Sequence, residues 1–99
     1  MRLSINCVDF CKALSDETRQ SILEMLQRGE MSVGEIVEAF KISQPTISHH
    51  LNVLRNVGLV TSRKEGKQVF YSINKENVEE CCGKMVAKFC VELPCSQRP

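Results

Sequence analysis

The hydrophobic period of this chain changes once, at Gly58, and that change limits the folds open to it more than any other feature. Upstream, Ile47, Leu51 and Leu54 recur at i, i+4 and i+7, the spacing of one helical face. Ser43 stands where an N-cap belongs, and Pro45 fits a first turn whose missing N–H costs nothing. Gly58 is placed to close this helix as C′. Downstream, apolar positions return at about every second residue. The runs 59–64 and 68–73 flank Glu65–Gly66–Lys67, a short turn with its glycine placed for positive φ. A helix leading straight into a two-stranded hairpin is the predicted centre of the molecule, with Arg63, Lys64 and Lys67 at the hairpin tip.

Helical periodicity accounts for the rest. Leu3, Cys7, Phe10, Cys11 and Leu14 share one face of a first helix. Ser15 is read as the N-cap of a second, with Asp16 and Glu17 in the favourable acidic first turn. That helix buries Ile22, Leu23 and Leu26 and stops near Gly29. Ser32 and Glu35 form a capping box for a third helix, whose face is Val33, Ile36, Val37 and Phe40. The gap of two to three residues before the next helix is a helix-turn-helix spacing. Asn74 caps a last helix carrying Val78, Cys82, Met85 and Phe89 on one side, and Pro94 ends it. The predicted order is α-α-α-α-β-β-α: a mostly helical chain with a β-hairpin, which is a winged helix-turn-helix.

Length and charge narrow the function. Ninety-nine residues make one domain, with little volume left for a deep substrate pocket. No nucleophile motif accompanies the Cys and His residues, so an enzyme is not expected. The uncharged runs fall far short of the roughly 20 residues that cross a bilayer, and Arg2 is followed by too few of them for a secretory signal. A cytoplasmic protein with no membrane partner is expected. The formal net charge of +1 hides an uneven distribution. Residues 41–73 hold Lys41, Arg55, Arg63, Lys64 and Lys67 against Glu65 alone, whereas residues 1–40 are acidic overall. A basic stretch inside a near-neutral chain points to an anionic partner met by one face.

The fourth helix names the anion. Ser43, Gln44, Thr46, Ser48, His49, His50 and Asn52 crowd polar groups onto a helix whose other face is apolar. Gln and Asn pair bidentately with adenine edges, Ser and Thr meet bases or phosphates, and the helix N-terminus attracts phosphate. Arg63, Lys64 and Lys67 suit phosphate or minor-groove contact, with Gln68 and Tyr71 as lesser candidates. Double-stranded DNA is the expected partner.

Three stretches carry a family resemblance. SQPTISHHLNVLRNVGLV (residues 43–60) resembles the recognition helix and following strand of the ArsR/SmtB metal-sensing repressors of bacteria. KALSDETRQSILEML (12–26) resembles that family's first-to-second helix junction, and RKEGKQVFYSI (63–73) its wing. The resemblance implies a homodimeric winged-helix repressor, paired through its first and last helices, that binds operator DNA unliganded and releases it when an inducer binds. It also implies that one of His49 and His50, which point about 100° apart on a helix, reads DNA while the other packs. The expected organisation is a DNA-binding and dimerisation domain over residues 1–93 and a C-terminal tail over 94–99. Phe10, Leu14, Met85 and Phe89 are the expected dimer contacts.

Six cysteines decide the inducer: Cys7, Cys11, Cys81, Cys82, Cys90 and Cys95. Here the chain departs from the family's familiar patterns. The third helix lacks the cysteine pair of the thiolate site, and the last helix lacks the histidine of the zinc site. Cys81 and Cys82 remain as the leading ligands, with Cys7, Cys11, Cys90 or Cys95 as further ones. Cys90 lies about 12 Å along a straight helix from Cys82, too far to join it easily. Thiolates select thiophilic ions, and an adjacent pair on the last helix resembles arsenic-responsive members, so As(III) is the expected inducer, ahead of Cd(II) or another soft metal. No organic cofactor is expected. Two alternatives stay open: a persulfide- or redox-responsive repressor using a reversible cysteine bridge, and a cysteine-rich structural metal module mediating protein contacts.

Overall fold

A computed structural model describes residues 7–89 of the chain. Its elements are α1 (Cys7–Ala13), α2 (Glu17–Leu26), β1 (Met31–Ser32), α3 (Val33–Phe40), α4 (Gln44–Asn56), β2 (Val60–Glu65), β3 (Gln68–Ile73) and α5 (Lys75–Phe89). This is the winged helix-turn-helix that the period change predicts, with one strand more than expected. β1 pairs antiparallel with β3, Met31 opposite Tyr71 and Ser32 opposite Phe70, so the sheet order is β1-β3-β2. A strand of two residues is too short to show any alternation, which is why periodicity misses it.

The helix ends follow local chemistry closely. Ser32 Oγ accepts from the Glu35 amide at 3.1 Å, and Glu35 Oε1 accepts from the Ser32 amide at 2.8 Å, completing the capping box. Asn74 caps α5 by accepting from the Asn77 amide at 3.1 Å. The cap of α2 shifts by one residue from the expected Ser15. Asp16 holds the extended cap conformation and accepts from the Arg19 amide at 3.0 Å, while the Ser15 hydroxyl turns back to the Lys12 carbonyl at 2.6 Å. Ser43 sits at the start of α4 but caps nothing; its hydroxyl donates to Thr46 Oγ1 at 3.0 Å.

At Gly58 the main chain turns from α4 into the wing. The Gly58 amide bonds the Arg55 carbonyl at 3.0 Å, and the Leu59 amide bonds the Leu54 carbonyl at 2.9 Å, a Schellman closure that requires the left-handed φ of +84° at Gly58. Leu54 and Leu59, the hydrophobic pair that accompanies this closure, are both fully buried. They join Ile22, Ile36, Ile47, Leu51 and Cys81 in the core, where every one of these side chains is 0% exposed. Burying each aliphatic member stabilises the fold by roughly 1.5–3 kcal/mol. At the hairpin tip Glu65 faces Gln68 across a two-residue turn, with Gly66 at φ +62° in its first central position.

Two expected faces are rotated. On α1 the buried residues are Phe10 and Ala13, whereas Cys11 is exposed. Phe10 is only 4% exposed within its own chain, so it needs no second copy to hide it. On α5 the core side is Val78 and Cys81, and Cys82 is exposed. The expected contacts of the Met85 and Phe89 side chains, Leu3, and the boundary at residue 93 lie outside the described residues.

The closure at Gly58 is testable by stability. Placing a Cβ at a left-handed φ costs about 1–2 kcal/mol, so Gly58→Ala is expected to lower the unfolding free energy by that amount, read as a lower urea midpoint with the m-value unchanged. An unaltered midpoint would show that the corner does not need a glycine.

Candidate nucleic-acid interface

The buried stripe of Ile47, Leu51 and Leu54 rotates α4 so that Gln44, Thr46, His49 and Asn52 face solvent. Ser48 and His50 are half-buried. The two histidines therefore divide: His49 is turned out, and His50 is turned in. Arg19 Nη1 lies 3.2 Å from His50 Nδ1, and because guanidinium only donates, this nitrogen is the acceptor. Arg19 Nε meanwhile donates to the Ala13 carbonyl at 2.7 Å. Asp16 stands 3.9 Å from the same ring nitrogen. Its carboxyl is held below the usual Asp range, chiefly by the hydrogen bond from the Arg19 amide. One guanidinium thus ties the last residue of α1 to the middle of α4, a joint that sequence periodicity does not reveal.

The first amides of α4 carry no side-chain cap, which leaves the positive end of the helix dipole open to an anion. Beside them a cleft of 230 Å³ is lined by Ser32, Val33 and Gly34 at the start of α3, by Gln44, and by Lys67, Gln68 and Val69 of the wing. Wing tip and helix start therefore open onto one groove. Lys41 adds a cation in the turn between α3 and α4, exposed and in a left-handed conformation at φ 57°. Arg55 is exposed in the last turn of α4, with Nη1 3.4 Å from Ser62 Oγ. Neither was singled out from sequence; a lysine in a left-handed turn gives no signal comparable to glycine.

Strand alternation splits the wing cations. Val60, Ser62 and Lys64 share the face that Tyr71 turns to the core, whereas Thr61, Arg63 and Glu65 share the outer face. Among the described residues Lys64 and Lys67 have no carboxylate partner. Arg63 has two. Its Nε and Nη2 donate to the two oxygens of Glu30 at 2.7 and 2.8 Å, and Nη1 donates to Glu65 at 2.7 Å. The guanidinium carbon lies 4.7 Å from the centre of the Phe70 ring. These bonds push the Arg63 pKa still higher, Glu30 contributing most. The expectation that Arg63 meets phosphate overlooked Glu30, which stands 33 residues away in sequence. Counting Glu30, the wing carries three cations against two carboxylates, far less basic than its sequence suggested.

Residues 16–62 match the family described as bacterial regulatory protein, arsR family. The chain belongs to the ArsR family. It is 40% identical over 75 residues to the transcriptional repressor SdpR of Bacillus subtilis, covering 76% of this chain and 83% of that one. An arsenical resistance operon repressor of Staphylococcus xylosus is 45% identical over 65 residues, covering 66% and 62%. In solution, a homodimeric winged helix-turn-helix domain from Mycobacterium bovis, described as a possible ArsR-family regulator, superposes with a TM-score of 0.69 at 31% identity, covering 81% and 75%. This ArsR-family chain is a winged-helix DNA-binding regulator, and no helix among its described residues is long and apolar enough to cross a membrane.

Among the described residues of this ArsR chain, the neighbouring thiols of α5 point different ways. Cys81 is buried in the core and Cys82 is exposed, because neighbours on a helix point about 100° apart. Cys82 borders an apolar cleft of 570 Å³ whose lining includes Phe10, Leu14, Leu23 and Val78. Cys11 is exposed on α1. The Cys7 side chain, Cys90 and Cys95 lie outside the described residues. Among the described residues no three His, Cys, Asp or Glu side chains cluster as a metal site would require.

The carboxylates around Arg63 predict an acid response. Glu30 is held below its ordinary value of 4.5, first by the hydrogen bond from Arg63. A depressed folded value gives stability that is complete above the ordinary value and is lost as pH falls through the folded one. Glu30→Gln is therefore expected to lose less thermal stability than wild type between about pH 5 and pH 3. Parallel melting curves across that window would show that Glu30 is not coupled to folding.

Proposed function

We propose that the protein is a homodimeric transcriptional repressor that grips operator DNA with α4 and the wing and releases it when a thiophilic ion, As(III), binds its cysteines. The observation that carries the DNA half is that Gln44, Thr46 and His49 are exposed on α4, with Gln44 opening onto the same groove as Lys67. In this reading Ser43, Gln44, Thr46, Ser48 and His49 choose the sequence, and Lys64 and Lys67 hold phosphates. Two copies related by a two-fold axis would place two such helices on half-sites about one DNA turn apart. Val8, 62% exposed on α1, supports pairing through that helix, and the homodimeric M. bovis neighbour supports pairing itself. The S. xylosus repressor supports an arsenical inducer. The protein works in the cytoplasm, where thiols stay reduced.

Selection of duplexes from a random pool, followed by binding measured against salt, tests the DNA reading. A retained duplex is expected to bind two chains. Lys64→Ala and Lys67→Ala should each flatten the log–log salt dependence by about 0.9 for every phosphate that the lysine neutralises. Gln44→Ala should relax the choice at one base pair by about 1–3 kcal/mol. Salt slopes unmoved by either lysine would remove the wing from the interface.

For the switch, Cys82 is the accessible member of the pair, and the remaining sulfurs come from residues beyond those described or from the second copy. Thiolate binding releases protons, so release of DNA by As(III) should weaken as pH falls. Cys82→Ser is expected to abolish that release, whereas Cys81→Ala should unfold at lower urea and still respond. For a tenfold loss of DNA affinity, the ion must favour the released form by about 1.4 kcal/mol. If Cys82→Ser responds like wild type, the sensor lies among the other cysteines. If only a persulfide donor acts, through a disulfide, the inducer is sulfur chemistry.

A further inference from the structure

All three nitrogens of the Arg63 guanidinium are engaged by carboxylate oxygens: two by Glu30 at 2.7 and 2.8 Å and one by Glu65 at 2.7 Å. The side chain starts on β2, crosses the Phe70 ring on β3 and ends at Glu30, just before β1, so it spans the outer face of the sheet from edge to edge. The backbone tie between β1 and the wing is slight, because β1 offers only two residue pairs. The two carboxylates outnumber the one guanidinium, so a phosphate approaching this face meets a net negative charge. Lys64 and Lys67, without such partners, lie on the other face and at the turn.

We propose that Arg63 is a positioning residue of the wing and not a phosphate contact: clamped between Glu30 and Glu65, it sets the angle at which Lys64 and Lys67 are offered to DNA. This rests on the reading of the wing as part of the DNA interface. A fork of three bonds fixes direction as well as distance, which a flexible lysine ammonium cannot reproduce. The clamp thus spends a cation on geometry and leaves the phosphate work to its neighbours. It also makes a carboxylate necessary for binding an anion, an outcome opposite to simple charge attraction.

The test uses one retained duplex and five proteins, wild type, Glu30→Gln, Arg63→Lys, the Glu30→Gln/Arg63→Lys double variant and Lys64→Ala, with affinity measured across a salt series. Folding of each is checked by its urea transition. Glu30→Gln is expected to weaken binding by about threefold or more although it removes a negative charge. Arg63→Lys is expected to weaken it by a similar factor although the charge is kept. Glu30→Gln/Arg63→Lys should bind no worse than either single variant, because both remove the same clamp. Tighter or unchanged binding by Glu30→Gln, or wild-type binding by Arg63→Lys, overturns the clamp and returns Arg63 to the phosphates. If Lys64→Ala leaves the salt slope unmoved while wild type binds, the wing reading fails, and the clamp's role in it fails too. If either clamp variant does not fold, hydrogen exchange of the wing amides in Glu65→Gln decides instead: faster exchange than wild type supports the clamp, and equal exchange overturns it.

Discussion

The corner at Gly58 holds the recognition helix, the wing and the last helix in one arrangement. Its left-handed φ of +84° lets the Gly58 and Leu59 amides fold back onto the end of α4. The carbonyls of the same two residues then serve α5: Asn77 Nδ2 donates to Gly58 O at 2.8 Å, and the Asn74 amide donates to Leu59 O at 2.8 Å. Leu54 and Leu59 press together beneath this corner with no exposure at all. Direction of the wing, start of α5 and end of α4 are thereby set at two consecutive peptide units. A hydrogen-bonded corner over a buried leucine pair is stiff because opening it would leave polar backbone without partners.

Beyond that corner, two polar ties hold α4 and the wing. Arg63 secures the outer face of the wing, and Arg19 secures the inner half of α4. Arg19 is shared between the Ala13 carbonyl at the end of α1 and the His50 ring, so α1 cannot shift against α4 without carrying or breaking these bonds. Helix α1, which carries Cys11, is therefore mechanically joined to α4, although His50 itself faces inward. The apolar cleft bordered by Cys82 is lined by residues of α1, α2 and α5 together with Leu59 and Ile73. Chemistry at the thiols and geometry at α4 belong to one packed body.

Charge needs the same three-dimensional reading as packing. Along the chain the middle third looks strongly basic, and the acidic first third looks remote from it. In the fold Glu30 crosses that division and takes up Arg63. Among the described residues of that third, what remains for an anion is Lys41, Arg55, Lys64, Lys67 and the uncapped start of α4. Such a surface favours selective contact by a few groups over diffuse attraction.

Sequence alone determined the elements whose causes lie within a few residues. The capping box at Ser32 and Glu35, the Asn74 cap, the glycine closure at Gly58 and the period change after it are all local, and all are legible as written. The exposed side of α4 was legible for the same reason, because Ile47, Leu51 and Leu54 state which side is inside. Only the tertiary structure decided matters that hang on a distant partner. Periodicity says that His49 and His50, or Cys81 and Cys82, point about 100° apart, but not which of each pair turns inward. That depends on the angle at which a helix docks: His50 is drawn in by Arg19, and Cys81 lies in the core that Val78 packs against. The strand at Met31–Ser32 exists because β3 is there to pair with it. Arg63 is held by Glu30 because the sheet brings together residues that the chain keeps far apart.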